Sequence, residues 1–140
     1  MSEFIKSASN GTVFTLHNET PYDGSQPDPP IPLTNPEHPL NGMLLSNGNF
    51  NAVWVWFETL EGYDGTVNFE TSPDGEVWFP IEGFEMGDQA TINASVTPSD
   101  GTSYVIPVLR NTYFRARLSG GTEGAISAYA FFTHTSVTGG

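Results

Sequence analysis

Three histidines, sixteen acids and only four permanent cations are the side chains from which this 140-residue chain could build chemistry. His17, His38 and His134 stand far apart, beside Asn, Pro and Thr, and no Gly-x-Ser-x-Gly elbow presents a nucleophile. They read as surface or structural groups rather than members of a triad. A glycosidase would need two carboxyl groups facing each other across a sugar. Glu58, Glu61, Glu70, Asp74 and Glu76 instead fall at strand ends or on a solvated strand face. Asp64, Asp74, Asp88 and Asp100 lie in turns, where calcium finds such oxygens. No Asp-x-Asp-x-Asp-Gly loop or histidine pair at ligand spacing accompanies them, and Asp-Gly turn chemistry accounts for three of the four. With no cysteine, thiolate metal sites, disulfides and cysteine nucleophiles are excluded. No catalytic residue, cofactor or metal is assigned, and the chain is expected not to be an enzyme.

Binding is the better prospect. Trp54, Trp56, Trp78, Phe79, Tyr63, Tyr113, Tyr129 and Phe131 exceed what one thin core needs. They admit two readings: a platform for stacking sugar rings, or a second apolar face covered by a proline-rich loop or a neighbouring subunit. The second is favoured, because a strand apolar on both faces is usually covered on both. Arg110, Arg115 and Arg117 hold three of the four cations within eight residues. Arg115 and Arg117 share the outward face of one strand, where they either balance acids on neighbouring strands or meet an acidic patch on a partner. The formal charge of −12 opposes nucleic-acid binding, which needs basic side chains to displace counterions. No window approaches a membrane span in length, and the first residues lack the basic and apolar regions of an export signal. Synthesis in the cytoplasm is expected.

The elements that must position these groups are strands. Thr66 to Thr71 alternates with period two between Asp64-Gly65 and Ser72-Pro-Asp-Gly75, the signature of a hairpin. Val67, Phe69 and Trp78 are expected to point inward from it. Thr12–His17, Phe50–Glu58, Tyr104–Leu109, Thr112–Leu118 and Ala125–Thr133 read as further strands, with Ala90–Val96 a weaker one and 84–88 a loop. In Phe50–Glu58, Val53, Val55 and Phe57 share one face and Ala52, Trp54 and Trp56 the other. In the last strand Ile126, Ala128, Ala130 and Phe132 alternate with Ser127, Tyr129 and Phe131. Pro21 to Pro39 carries seven of eleven prolines and reads as an extended surface loop. The expected organisation is a single all-β sandwich of jelly-roll type: an arm at 1–11, the sandwich at 12–134 with a proline-rich loop at 18–41, and a tail at 135–140.

Gly65-Thr-Val-Asn-Phe-Glu-Thr-Ser-Pro-Asp-Gly-Glu-Val-Trp-Phe-Pro-Ile81 resembles a pattern of tailed-bacteriophage virion proteins: a strand, Ser-x-Asp-Gly, then Trp and an apolar pair. Tyr113-Phe-Arg-Ala-Arg-Leu-Ser119, leading through glycines to an Ile/Ala-rich strand, extends the resemblance over about residues 45–133. Length and acidity are similar to those of the small capsid decoration, or cement, proteins. The resemblance implies a non-enzymatic protein of the outer capsid surface that stabilises capsomer junctions, commonly as a homotrimer, with the major capsid protein as partner and neither DNA nor membrane bound. The contact residues expected are Phe4 and Ile5 of the arm, Tyr22, Ile31 and Leu33 of the loop, and Trp54, Trp56, Arg115, Arg117, Tyr129 and Phe131 of the strands. The alternatives are a carbohydrate-binding or host-attachment module using Trp54/Trp56 or Tyr129/Phe131, and a tail or baseplate component.

Overall fold

A computed structural model describes residues 5–7, 11–26, 35 and 37–134, with backbone alone at 5–7 and 89–91. These residues form two six-stranded sheets packed as a β-sandwich. The first sheet runs β1 (Ile5–Ser7), β3 (Leu44–Ser46), β11 (Tyr113–Ser119), β5 (Thr66–Ser72), β6 (Phe79–Pro80), and β9 (Ser95–Val96) also pairs with β5. The second runs β2 (Val13–Pro21), β12 (Ala125–Thr133), β4 (Ala52–Leu60), β10 (Ser103–Pro107), β7 (Gly83–Glu85), β8 (Asp88–Asn93). The ladders are antiparallel except β1 on β3, which is parallel.

The core follows the period-two pattern. Val53, Val55 and Phe57 of β4 and Ile126, Ala128, Ala130 and Phe132 of β12 face Val67 and Phe69 of β5 and Phe114, Ala116 and Leu118 of β11, all buried. Phe69 touches both Tyr104 and Phe114 at ring-centroid distances of 5.7 and 6.3 Å, bridging the two sheets. Truncating such a ring to alanine is expected to cost about 3–5 kcal/mol.

Several expectations are corrected. The first strand continues past His17 to Pro21, with a bulge in its pairing to β12 where Glu19 takes φ 51°. The left-handed residues after β4 are Glu61 and Gly62, not the Asp64-Gly65 pair. The segment read as a loop at 84–88 contains β7 and the start of β8. The hairpin on β5 forms, but its return strand is the two-residue β6, with Pro80 where an edge strand tolerates a missing donor. Trp78 points outward, onto Arg115, rather than into the core, because the register sets Pro80 opposite the outward Glu70 and Trp78, two residues before it, alternates onto the same face.

Candidate functional site

The outer faces of the two sheets differ in kind. On the first sheet, Arg115 lies opposite Glu70 in register, and its Nε donates to Glu70 Oε1 at 2.8 Å. Arg117 Nε donates to the other carboxylate oxygen at 3.1 Å. The Trp78 ring covers the guanidinium, whose carbon lies 4.2 Å from the ring centroid. Burial lowers the Arg115 pKa, and the Glu70 carboxylate offsets only part of that effect. Both arginines are therefore paired within the chain, to one acid that the sequence placed on a solvated face. Asn68 and Ser95 continue this polar surface.

On the second sheet the outer face is aromatic and aliphatic. The pairing register sets Val13 beside Phe131, Phe131 beside Trp54, Trp54 beside Val105, Val105 beside Phe84, and Phe84 beside Ile92. Directly opposed residues share a face, so one row of six apolar side chains crosses all six strands, about 24 Å at the usual strand spacing. Phe84 belongs to it because its neighbour Gly83 faces the other way: a Cβ there would meet Ile106 of the core at 2.6 Å. Val13 and Ile92, at the ends, are 52% and 55% exposed and Trp54 is 39% exposed. A second row places Thr15, Tyr129, Trp56 and Ser103 side by side. The strand is thus apolar on both faces, with Trp54 of the second face exposed; most of the proline-rich loop expected to cover that face lies outside the described residues.

The rings on this face are ordered by one another. Trp56 stacks on Tyr129 at 5.9 Å and 28°, while Trp54 meets Trp56 edge-on at 5.8 Å and 62°. Trp54, Trp56 and Phe131 line an open concavity of about 350 Å³. Glu58 follows Trp56 on the same face of β4 and is exposed. No Lys or Arg occurs anywhere in the six strands of this sheet.

The sequence-assigned contact residues divide accordingly. Trp54, Trp56, Tyr129 and Phe131 come together in one patch. Arg115 and Arg117 lie on the opposite sheet. Tyr22 packs half-buried against the core, its backbone N–H donating to the Gly124 carbonyl. Ile5 belongs to β1, whose backbone pairs with β3. Phe4, Ile31 and Leu33 lie outside the described residues. Val13, Val105, Phe84 and Ile92 were missed; the alternation Val13/Thr15 and Ser103/Val105 was visible, but which strands adjoin was not.

The histidines have structural surroundings. His17 is buried and hydrogen-bonded, His38 Nδ1 accepts from the Leu40 N–H, and His134 stacks on Phe50 at 4.9 Å. Among the described residues no group of three His, Asp or Glu could hold a metal ion.

By fold and surface, the chain is a two-sheet β-sandwich with an ion-paired face and an apolar, aromatic face. Its sequence matches no protein family and no curated protein. Its fold is similar to that of the SPBc2 prophage-derived protein YomS, with a TM-score of 0.62 and 11% identity over 87% of this chain and 92% of that one. It is similar also to PBSX exported protein XepA, with a TM-score of 0.63 and 14% identity over 85% of this chain. The match spans 36% of the XepA chain. At these identities the likeness is one of fold.

Proposed function

We propose that this chain is a non-enzymatic structural protein of a phage virion, docked on the outer surface of the capsid as a homotrimer and stabilising the junctions between capsomers. The observation that carries the reading is the row from Val13 to Ile92, apolar across all six strands and exposed at Val13, Trp54 and Ile92, with Phe131 and Val105 half-buried and Phe84 buried. Bands of this kind mark protein-contact surfaces. The folds shared with a prophage-derived protein and a PBSX protein support a phage origin. A charge of −12 suits an exterior position, away from packaged DNA. A clip that binds only the assembled shell stabilises it by mass action.

Purified virions test the proposal. The protein is expected at a stoichiometry matching the capsid protein, and as a trimer by native mass. Shells stripped of it should break at lower temperature and regain resistance when it is added back. Stripped shells as robust as intact ones would remove the stabilising role, and a copy number matching a tail component would move the protein to the tail.

One observation favours a carbohydrate-binding reading instead. The stacked Trp56–Tyr129 pair is flanked in register by the hydroxyl residues Thr15 and Ser103. A glycan array with hits lost on Trp56→Ala would support that alternative, and an array without hits would end it.

A further inference from the structure

The two sheets use tryptophan in parallel ways, and only one of the two arrangements is complete. On the first sheet a tryptophan, a cation and a carboxylate are all present: Trp78 lies on Arg115, and Arg115 pairs with Glu70. On the second, Trp54 and Trp56 form an aromatic corner closed by Phe131, and Glu58 stands next to Trp56 on the same strand face. The cation is missing there. Of the chain's four, Arg115 and Arg117 are held by Glu70 on the opposite sheet, Lys6 belongs to β1 of that sheet, and Arg110 lies in the connection from β10 to β11. Among the described residues no ion pair reaches Glu58.

We infer that the Trp54–Trp56–Phe131 corner with Glu58 receives an arginine or lysine side chain from a partner segment whose flanking residues are apolar. This rests on the reading that this face docks on the capsid protein, and it names the chemistry that the partner brings. Ring faces attract a cation through the aromatic quadrupole, and arginine stacks flat on indole while its fork reaches a carboxylate. The apolar row on either side of the corner takes the partner's flanking side chains, with the aromatic pair at the centre, where binding energy concentrates. A second copy of this chain fits poorly, since its matching face brings no cation and another Glu58. A sugar also fits poorly in the concavity itself. The three lining side chains offer only the two indole N–H groups, whereas ligand sites fix polar molecules with several placed partners.

The test uses the isolated full chain and two capped tripeptides, Leu-Arg-Leu and its citrulline counterpart, which has nearly the same shape without the charge. Indole N–H resonances report each tryptophan separately. Trp54 and Trp56 are expected to shift saturably with the arginine peptide, while Trp78, already covered by Arg115, stays in place. The arginine peptide should bind about threefold or more tighter than the citrulline one, the scale of an exposed cation–π contact. Glu58→Gln, an exposed change that leaves the fold intact, should reduce that ratio, and added salt should do the same. Equal binding of the two peptides, no shift with either, or stronger shifts with methyl glucoside than with the arginine peptide would overturn the inference. Rebinding to stripped shells separates the two levels: shells that bind a protein indifferent to arginine defeat this inference alone. A protein that prefers arginine but ignores shells defeats the capsid reading alone.

Discussion

His17 Nε2 lies 2.6 Å from the backbone oxygen of Ala116, tying β2 of one sheet to β11 of the other through the buried core. A carbonyl only accepts, so Nε2 carries the proton. Nδ1 is then the acceptor, and takes the hydroxyl of Thr20 at 3.0 Å. The neutral ring satisfies both contacts; a second proton would have to displace the Thr20 hydroxyl donor inside the core.

Acid should therefore loosen the sandwich through this residue. Burial lowers the His17 pKa from 6.5 to about 4, against a smaller opposing effect of the Ala116 hydrogen bond. Between those values the unfolded chain binds a proton that the folded chain does not. Stability falls as pH drops through that window, by up to about 3 kcal/mol. Asp64, Asp74 and Asp100, whose pKa values hydrogen bonds hold below 3.8, lose their contributions only at lower pH. Denaturant titrations at pH 7 and pH 4.5 should show the loss, and His17→Gln should flatten it. A wild-type profile without slope in this range would refute the account.

Gly42 is predicted to be intolerant of any side chain. It takes φ 67°, and a Cβ would lie 2.5 Å from His17 Nε2 and 2.6 Å from the Leu16 carbonyl. Backbone strain and displacement of the inter-sheet histidine act together, so Gly42→Ala should cost at least about 2 kcal/mol. Thermal melts measure it, with Gly87→Ala as the comparison, since it shares a positive φ but has open space around it.

The Glu70 cluster should behave as a network. Removing the carboxylate leaves a largely covered guanidinium under Trp78, so Glu70→Gln is expected to destabilise by about 1–3 kcal/mol. The more exposed Arg117 should couple to Glu70 by less than about 1 kcal/mol. Double-mutant cycles of Glu70 with each arginine give the two couplings, and equal values would contradict the difference in burial.

Asp64 holds the turn before β12 without being buried. Its Oδ1 accepts from the Thr122 N–H at 2.6 Å and the Glu123 N–H at 3.2 Å, and its Oδ2 accepts from the Thr122 hydroxyl. Asp64→Ala should raise hydrogen exchange at Thr122 and Glu123 while leaving exchange in β4 and β12 unchanged. Spread of the effect into those strands would show a wider role.

Charges placed in the apolar row should separate folding from binding. Val13→Glu and Ile92→Glu alter side chains more than half exposed, where substitutions usually change stability by about 0.5 kcal/mol or less. Both variants should melt close to the wild type and fail to rebind stripped shells. Unchanged rebinding would remove this face from the capsid contact.

Alternation along single strands was enough to state that Val53, Val55 and Phe57 share one face and Ile126, Ala128, Ala130 and Phe132 another, because side-chain direction in a strand repeats every two residues whatever lies beside it; that these faces are the inner ones came from the packed sheets. For the same reason Trp54 and Trp56 were known to share a face, as were Tyr129 and Phe131. Which strands adjoin depends on pairings between residues far apart in sequence, and no local pattern contains them. Tertiary structure alone decided that Glu70 sits between Arg115 and Arg117, that Trp78 turns outward onto them, and that His17 reaches Ala116. It alone lined up Val13, Phe131, Trp54, Val105, Phe84 and Ile92, since one row across six strands exists only once every register is set.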